Sequence, residues 1–294
     1  MDDIPFNFIE RAIHTVNPLQ FPSMCNLDTH WGNYAKVLHE STERCHLIIN
    51  QYNSDLYYYL YDKPQQMMKF VNIEDVLKTK HVHIFQLLIV KAPGIHEGAV
   101  KVQVEDAKKI LRLLAKSNGL TIVVVSSWEN DNPLIEKFLQ AVPRIRQMAV
   151  NTAMERHITK FKNLIEKQLF CGCFNGLSLG SDLVPEAFFP VIMQFLKESG
   201  INDLQVSVEK KHTTFALEMI NAIVEKWQNN ENRNEKRILS ANQEILNVMK
   251  AEVLEENGEM FITNKEDSSK KMWVKLEESP DANARFYSIN VKSL

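Results

Sequence analysis

The sequence predicts a mixed α/β protein with three parts: a helical N-terminal unit, an irregular array of alternating helices and strands, and a C-terminal antiparallel β-meander. Three observations predict this class. Apolar residues recur at helical spacing over the first forty positions, and helix-like and strand-like runs alternate between about residues 73 and 242. Three strand-length runs with polar turns then follow. We expect segments at residues 1–42, 43–255 and 256–294.

Two short amphipathic helices are predicted at the N-terminus, with a proline corner between them. Pro18 ends the first, because proline has no amide proton and its ring crowds the preceding turn. Two helices of this size cannot bury enough apolar surface to be stable alone, so they must pack against the rest of the chain or a partner. The apolar faces consist of Phe8, Ile9, Ala12, Ile13 and Val16 in the first helix, and of Met24, Leu27, Trp31 and Leu38 in the second.

This arrangement resembles an F-box, and in particular the divergent F-box-like N-termini of a large nematode protein family. The pattern is an apolar-proline opening, a short helix, a Pro-Leu corner and a helix that carries a tryptophan. Phe6, Asn7 and His14 depart from it, and Pro22 enters the second helix. The residues that match it are Ile4-Pro5, Ile9, Ile13, Pro18-Leu19, Leu27 and Trp31.

The resemblance implies a non-catalytic substrate-recruiting subunit of a cullin-RING ubiquitin ligase. Its N-terminal helices would dock on a Skp-type adaptor, and its body would hold an unknown target protein. An α/β binding protein that has lost adaptor binding is one alternative, and an α/β hydrolytic enzyme is another. The adaptor-binding residues that the resemblance implies are Ile4, Pro5, Phe8, Ile9, Ile13, Pro18 and Leu19.

A β-hairpin is predicted directly after the helical unit. The runs 45–49 and 56–61 are aliphatic and aromatic, and the turn formers Asn50, Asn53, Ser54 and Asp55 lie between them. The consecutive tyrosines at 57–59 must point to alternate faces of such a strand. They are either interface anchors or, as we favour, part of a strand that covers the junction with the main body.

The central array alternates helix and strand, which predicts parallel strands. Two architectures fit this alternation: a closed or doubly wound sheet, or an irregular leucine-rich-repeat-like solenoid. Leu177 and Leu204 begin similar Leu-x-Leu or Leu-x-Val strands 27 residues apart, a period that favours the solenoid, whereas the aliphatic run 120–125 fits the doubly wound sheet. The predicted helices are 73–77, 104–116, 133–141, 157–169, 185–198 and 213–226, and the predicted strands are 82–90, 121–126, 145–150, 177–179, 204–208 and 238–241.

The last forty residues predict an antiparallel meander of strands at 260–263, 272–276 and 285–291. Polar turn clusters separate these runs. We expect the meander to cap the end of the array, because exposed sheet edges and core ends invite aggregation. The polar run 229–236 is expected to be a loop.

Catalytic and metal-binding motifs give little support to an enzyme. The string Gly176-Leu177-Ser178-Leu179-Gly180 matches the nucleophile elbow GxSxG, with Asp182, Asp203 and His212 as conceivable partners. A nucleophile elbow needs a helix directly after the serine, and the next predicted helix begins near Pro185. The pairs Cys171/Cys173 and His81/His83 lack the second pair that a zinc site needs. We expect no cofactor, since the sequence has neither GxGxxG nor GxxxxGK.

Composition excludes several function classes. The chain has 34 Lys plus Arg against 37 Asp plus Glu, and this balance provides no basic footprint for nucleic acid. The apolar runs are of strand length, so no membrane-spanning helix is expected. The acidic Met-Asp-Asp opening and four cysteines without secretory context predict an intracellular protein, cytoplasmic or nuclear.

Overall fold

The computed structural model is a mixed α/β protein with two compact units, Met1–Arg146 and Gln147–Leu294. The boundary between the two units falls inside the predicted segment 43–255. Seven α-helices lie with both ends inside the described part of the chain. The structure describes residues 12–13, 24–26, 30–62, 70–126, 132–151, 157–180, 184–198, 203–228, 238–240, 253–256, 259–263, 271–275, 277–278 and 286–292.

Unit 1 is built on a mostly parallel sheet with the strand order β5-β3-β1-β2-β4. Neighbours β1 and β3, and β3 and β5, are parallel, whereas β2 is antiparallel to both β1 and β4. The strands are β1 Thr42–Tyr52, β2 Asp55–Asp62, β3 His81–Lys91, β4 Val100–Lys101 and β5 Thr121–Val125, and the helices are α1 His30–Ser41, α2 Ile73–Lys78, α3 Val104–Lys116 and α4 Pro133–Ala141.

Much of the core of unit 1 lies on one face of this sheet. Alternate residues such as Leu47, Leu87 and Val123 are fully buried there, because every second side chain of a strand points to the same face. The apolar stripe of α3, which contacts β3, is also fully buried at Ile110 and Leu113. This alternation is the pattern of a sheet covered by helices on that side.

Helix starts in unit 1 follow from local capping. Asn132 accepts a hydrogen bond from the amide of Leu134, with Pro133 in the first turn of α4. Gln103 and Asp106 form a capping box at the start of α3. The predicted helix bounds agree here to within about one residue because these signals are local.

Unit 2 contains a second set of parallel strands, β6, β7 and β8, which pair in chain order. Strand β6 begins in unit 1 and ends in unit 2. The elements are β6 Ile145–Val150, β7 Gly176–Leu179 and β8 Asp203–Glu209, the helices α5 Ile158–Phe170, α6 Phe189–Glu198 and α7 Thr213–Gln228, and the 3-10 helices Glu186–Phe188 and Lys210–His212.

The C-terminal strands differ from the predicted meander in their pairing. Strands β9 Ile238–Ser240, β10 Val253–Glu256, β11 Glu259–Thr263 and β12 Lys271–Lys275 form a separate four-stranded sheet, in which β10, β11 and β12 are successive antiparallel neighbours. Strand β9, predicted to belong to the array, pairs with β12 in this sheet. Strands β13 Glu277–Glu278 and β14 Phe286–Lys292 pair with each other, and β14 runs antiparallel to β8.

The last predicted strand therefore does not complete the meander. It extends the parallel sheet at β8, whose outer backbone groups would otherwise lack a neighbouring strand. Local alternation located the strand correctly, but it contains no information about which of two distant edges the strand joins.

Candidate interaction site

The outer edge of β2 is interrupted, and this interruption is the most distinctive feature of unit 1. At one end β4 pairs with Tyr57 and Tyr58. At the other end Phe70 forms an isolated antiparallel bridge with Tyr61, and the amide of Val71 donates to the carbonyl of Leu60 over 3.0 Å. Among the described residues, two separate segments thus occupy the edge and leave a gap beside the middle of the strand.

A pocket of about 400 Å³ opens at this gap. This volume lies in the range of ordinary ligand pockets, about 300–1,000 Å³. Tyr58 and Tyr59 point to opposite faces of the sheet. Both can line the pocket because it lies at the edge of β2, next to both faces. The lining consists of residues 58–60, residues 70–74, Gly98, Val100 and Lys109. We call it the edge pocket.

One wall of the edge pocket is aromatic. The ring of Tyr59 meets that of Phe70 edge to face at 6.1 Å between centroids, and it lies 5.8 Å from that of His96 and 6.4 Å from that of Tyr61. Phe70 is a large apolar side chain, and 49% of it is exposed to solvent. Such rings provide apolar area with little conformational freedom to lose on binding.

The lining of the edge pocket also contains a charge pair. Lys109 Nζ lies 2.6 Å from Glu74 Oε1, and the Asn72 side chain accepts from the amide of Glu74 at the start of α2. The hydrogen bond from Lys109 lowers the pKa of Glu74, and the same bond raises the pKa of Lys109. Burial raises the pKa of Tyr58, and the Asp106 carboxylate raises it further.

These pKa directions take the three groups away from proton transfer near pH 7. Each shift moves the pKa of the group further from 7. Glu74 and Lys109 therefore stay charged near pH 7, and Tyr58 stays protonated. A general acid or base works best when its pKa lies near the working pH. The edge pocket presents fixed charges and aromatic faces instead.

Asn50 anchors the loop that precedes Gly98, a residue that lines the edge pocket. Buried Asn50 donates from Nδ2 to the carbonyl of Gly94 over 3.0 Å and accepts from the amide of Ala92 over 3.0 Å. Gly98 has a φ of +84°, which a residue with a side chain rarely adopts. A Cβ on Gly98 would lie 3.4 Å from Cε2 of Phe70, so the glycine also lets this ring pack closely.

The predicted adaptor surface lies largely outside the described part of the chain. Ile13, which is described, is fully buried in a small cluster with Ala35 and Leu38, and half-buried Trp31 packs against them. Ile13 therefore packs the helical unit from within. The other adaptor-binding residues, Ile4, Pro5, Phe8, Ile9, Pro18 and Leu19, lie outside the described residues.

The GxSxG serine does not sit at a strand-to-helix turn. Ser178 lies inside β7, and its hydroxyl donates to Gln205 Oε1 over 3.0 Å. The next helical turn among the described residues begins at Glu186, whose carboxylate lies 3.2 Å from Nε2 of His212. Asp182 lies outside the described residues. The described geometry thus lacks the sharp turn that would present the serine hydroxyl.

The cysteine and histidine pairs were considered above as possible metal ligands. His83, which is buried, contacts the carbonyl of Leu120 through Nε2 at 3.1 Å. Cys171 is exposed at the end of α5. Among the described residues no group of three or more His, Cys, Asp or Glu is placed to hold a metal ion.

Sequence reasoning noted the tyrosine run but missed the other walls of the edge pocket. Phe70, Gly98 and Lys109 come from three separate segments, and only the fold brings them together. The one local signal was Asn72, a strong helix N-cap that places Glu74 in the first turn of α2.

The chain was compared with protein-family models, with curated proteins and with solved structures, and none of them matches it. Within the described ranges, none of the helices is both long and apolar enough to span a bilayer.

Proposed function

We propose that this chain is a non-catalytic protein-interaction protein, and specifically a substrate-recruiting F-box subunit of a cullin-RING ubiquitin ligase. The observation that carries the interaction role is the edge pocket, whose lining combines aromatic rings with a charge pair. Aromatic anchors beside charged groups are typical of protein interfaces.

The ligase role rests on the resemblance of the first forty residues to an F-box. The small cluster of Ile13, Ala35 and Leu38, with Trp31 against it, supports a helical N-terminal unit of that kind. In this proposal Ile4, Pro5, Phe8, Ile9, Pro18 and Leu19 form the surface for a Skp-type adaptor, while Ile13 keeps that surface in shape from the inside.

The arrangement of the strands supports a binding body. In unit 1 the parallel strands β1, β3 and β5 neighbour each other in chain order, as do β6, β7 and β8 in unit 2. A doubly wound fold reverses its strand order at a switch point, whereas a repeat array adds each strand beside the previous one. We therefore favour the leucine-rich-repeat-like arrangement over the doubly wound one.

The adaptor role is tested by co-purification of the full-length chain with a recombinant Skp-type adaptor. We expect the double variant Pro5→Ala, Ile9→Asp to lose the adaptor, because a carboxylate in an apolar anchor leaves a charge without a partner when buried. The matched control is Val37→Asp, which changes an exposed apolar residue of α1 that is 61% accessible. We expect this control to retain the adaptor.

Circular dichroism melting of each variant distinguishes lost binding from lost folding. Adaptor retention by the double variant would contradict the ligase role. If the wild-type chain itself fails to bind an adaptor, an interaction protein that has lost adaptor binding becomes the better description.

A further inference from the structure

We propose that Cys171 and Cys173 form a redox-active dithiol, which a small-molecule disulfide of the glutathione class oxidises to an intramolecular disulfide. Both residues are thiols in the structure, and they lie in the Cys171-Gly172-Cys173 turn directly after α5. We call this segment the dithiol turn. Three features support the proposal: the exposure of the turn, its backbone geometry and the contrast with the other two cysteines. The proposal does not depend on the ligase role.

The dithiol turn is open to solvent. Cys171 is exposed and Cys173 is half-buried, and Phe170, the last residue of α5, is 85% exposed. The Cys171 thiol donates only to the carbonyl of Lys167, at 3.5 Å from Sγ, and a thiol is a weak donor. The rate of thiol–disulfide exchange depends on access to the attacking sulfur. Cys171 provides that access.

The backbone keeps the two cysteines close to the span of a disulfide. Residues two positions apart have Cα atoms at most about 7 Å apart, and disulfides join Cα atoms that are about 4.4–6.8 Å apart. Gly172 has a φ of +67°, so the chain turns here instead of extending. Its amide donates to the carbonyl of Leu169 over 3.0 Å, one of the hydrogen bonds that end a helix at a left-handed glycine.

The turn also has room to adjust when the disulfide closes. Among the described residues, no atom beyond the chain neighbours lies within 4 Å of a Cβ built on Gly172. A disulfide across one intervening residue is a small ring, and departure from ideal disulfide geometry makes the bond easier to reduce. Strained or exposed disulfides are the labile ones, whereas structural disulfides resist reduction. The dithiol turn therefore exchanges reversibly and is not a permanent crosslink.

The exchange has two steps and consumes one molecule of glutathione disulfide. The Cys171 thiolate attacks one sulfur of the glutathione disulfide, whose S–S bond breaks, and one glutathione leaves as a thiolate and takes up a proton. The Cys173 thiolate then attacks the sulfur of Cys171 and displaces the second glutathione in the same way. The protein loses two electrons and two protons, and the glutathione disulfide gains them.

The other two cysteines lack these features. Cys45 is fully buried in β1, and burial raises its pKa to about 12, with the carboxylates of Glu43 and Asp62 acting in the same direction. Because the thiolate is the attacking species, Cys45 is both inaccessible and protonated near pH 7. Cys25 is half-buried and has no cysteine two positions away, so it can form a mixed disulfide but no small ring.

The test places the folded full-length protein in glutathione buffers with a rising proportion of the disulfide form. Acid stops the reaction, N-ethylmaleimide then blocks the remaining thiols in urea, and tryptic peptides are analysed by mass spectrometry. The peptide 168–197 contains Cys171 and Cys173 and no other cysteine. We expect this peptide to lose the mass of two hydrogen atoms and to take up no maleimide. The peptide that contains Cys45 should remain fully alkylated.

Matched variants test the order of the two steps. Cys173→Ser keeps the exposed thiol but removes its intramolecular partner. We expect it to accumulate about tenfold more mixed disulfide with glutathione at Cys171 than the wild type does, because closure within one molecule outruns attack by a second molecule. Cys171→Ser should react more slowly, since half-buried Cys173 must then attack first. The control Cys25→Ser, which changes another half-buried cysteine, should retain the intramolecular disulfide.

Several outcomes would overturn the proposal. The first is a peptide 168–197 that keeps both thiols, or has glutathione on both, under conditions that modify Cys25. The second is a Cys173→Ser variant that accumulates no more mixed disulfide than the wild type. The third is an intramolecular disulfide that forms only above the melting temperature measured by circular dichroism, because the folded turn would then not be the reactive species.

Discussion

The parallel strands of the two units share one backbone pattern but present opposite chemistry on one face. Across unit 1, Val124, Leu88, Ile48 and Tyr59 lie side by side on four neighbouring strands. Across unit 2, the corresponding row is Ala149, Ser178 and Gln205. The first row is largely apolar and buried or half-buried, whereas the second runs from alanine through serine to an exposed glutamine.

This difference shows that the helix-covered face sets the fold while the other face sets the surface chemistry. In both units the alternate positions, such as Leu87 and Leu177, are almost fully buried. Helix-side positions must be apolar to form a core. The intervening positions are free of that demand, so unit 1 has placed aromatic and aliphatic residues there and unit 2 has not.

The largest effect that sharpens this comparison is expected from neighbouring leucines of β3. Leu87→Ala removes a fully buried side chain and should lower the free energy of unfolding by about 3 kcal/mol, since it leaves a cavity in the core. Leu88→Ala, one residue along on the half-buried face, should cost only about 1 kcal/mol. Equilibrium urea unfolding measures both, and equal losses would contradict the assignment of the two faces.

A second expected effect concerns pH and is specific to unit 1. His83 is a buried residue of β3, and desolvation lowers its pKa from 6.5 to about 4. The nearby positive charges of Arg44 and Arg144 lower the pKa further. The unfolded chain therefore binds more protons than the folded chain between these two pH values. Stability from neutral His83 is complete above about pH 6.5 and is lost as the pH falls towards about 4.

The expected loss is up to about 3 kcal/mol across this window, at about 1.4 kcal/mol per pH unit. Urea unfolding at pH 7 and at pH 4.5 should therefore show a larger difference for the wild type than for His83→Gln. Glutamine does not titrate, and its amide can still donate to the carbonyl of Leu120. The same pH dependence in both proteins would show that His83 does not titrate in this way.

Local signals explain why much of the fold was predictable. The hairpin turn was predicted from Asn53 and its neighbours, and Asn53 indeed has a φ of 54°, which asparagine tolerates better than most residues. Helices with clear caps were placed to within a residue or two. In each case the information lies within a few positions of the element it defines.

Features that depend on distant contacts were not predictable. Strand β14 could have joined either of two sheets, and no local pattern decides between them. The β-bulge that leaves Phe85 without a partner in β1 brings Gln86 within 3.2 Å of His46 Nδ1. The extra residue shifts the alternation by one, but the largely apolar run 82–90 hides this shift in the sequence. The edge pocket depends on Phe70, Gly98 and Lys109 meeting in space.

The smallest expected effects come from two glycines, Gly119 and Gly180, that leave no room for a Cβ. The neighbouring atoms differ in how freely they can move. A Cβ on Gly119 in unit 1 would lie 2.1 Å from Cδ2 of His83, a buried ring that is fixed by the carbonyl of Leu120. A Cβ on Gly180 in unit 2 would lie 1.8 Å from Oδ1 of Asn151, the tip of an exposed side chain. Only the second neighbour can swing away into solvent.

Gly119→Ala should therefore lower the free energy of unfolding by about 2 kcal/mol, the usual cost of overpacking a rigid site. Gly180→Ala should change it by about 0.5 kcal/mol or less, as at other tolerant surface positions. Urea unfolding of both variants side by side measures the difference. A reversed order would mean that Asn151 is the fixed neighbour and His83 the movable one, so that the polar face of unit 2 would be the more rigid of the two.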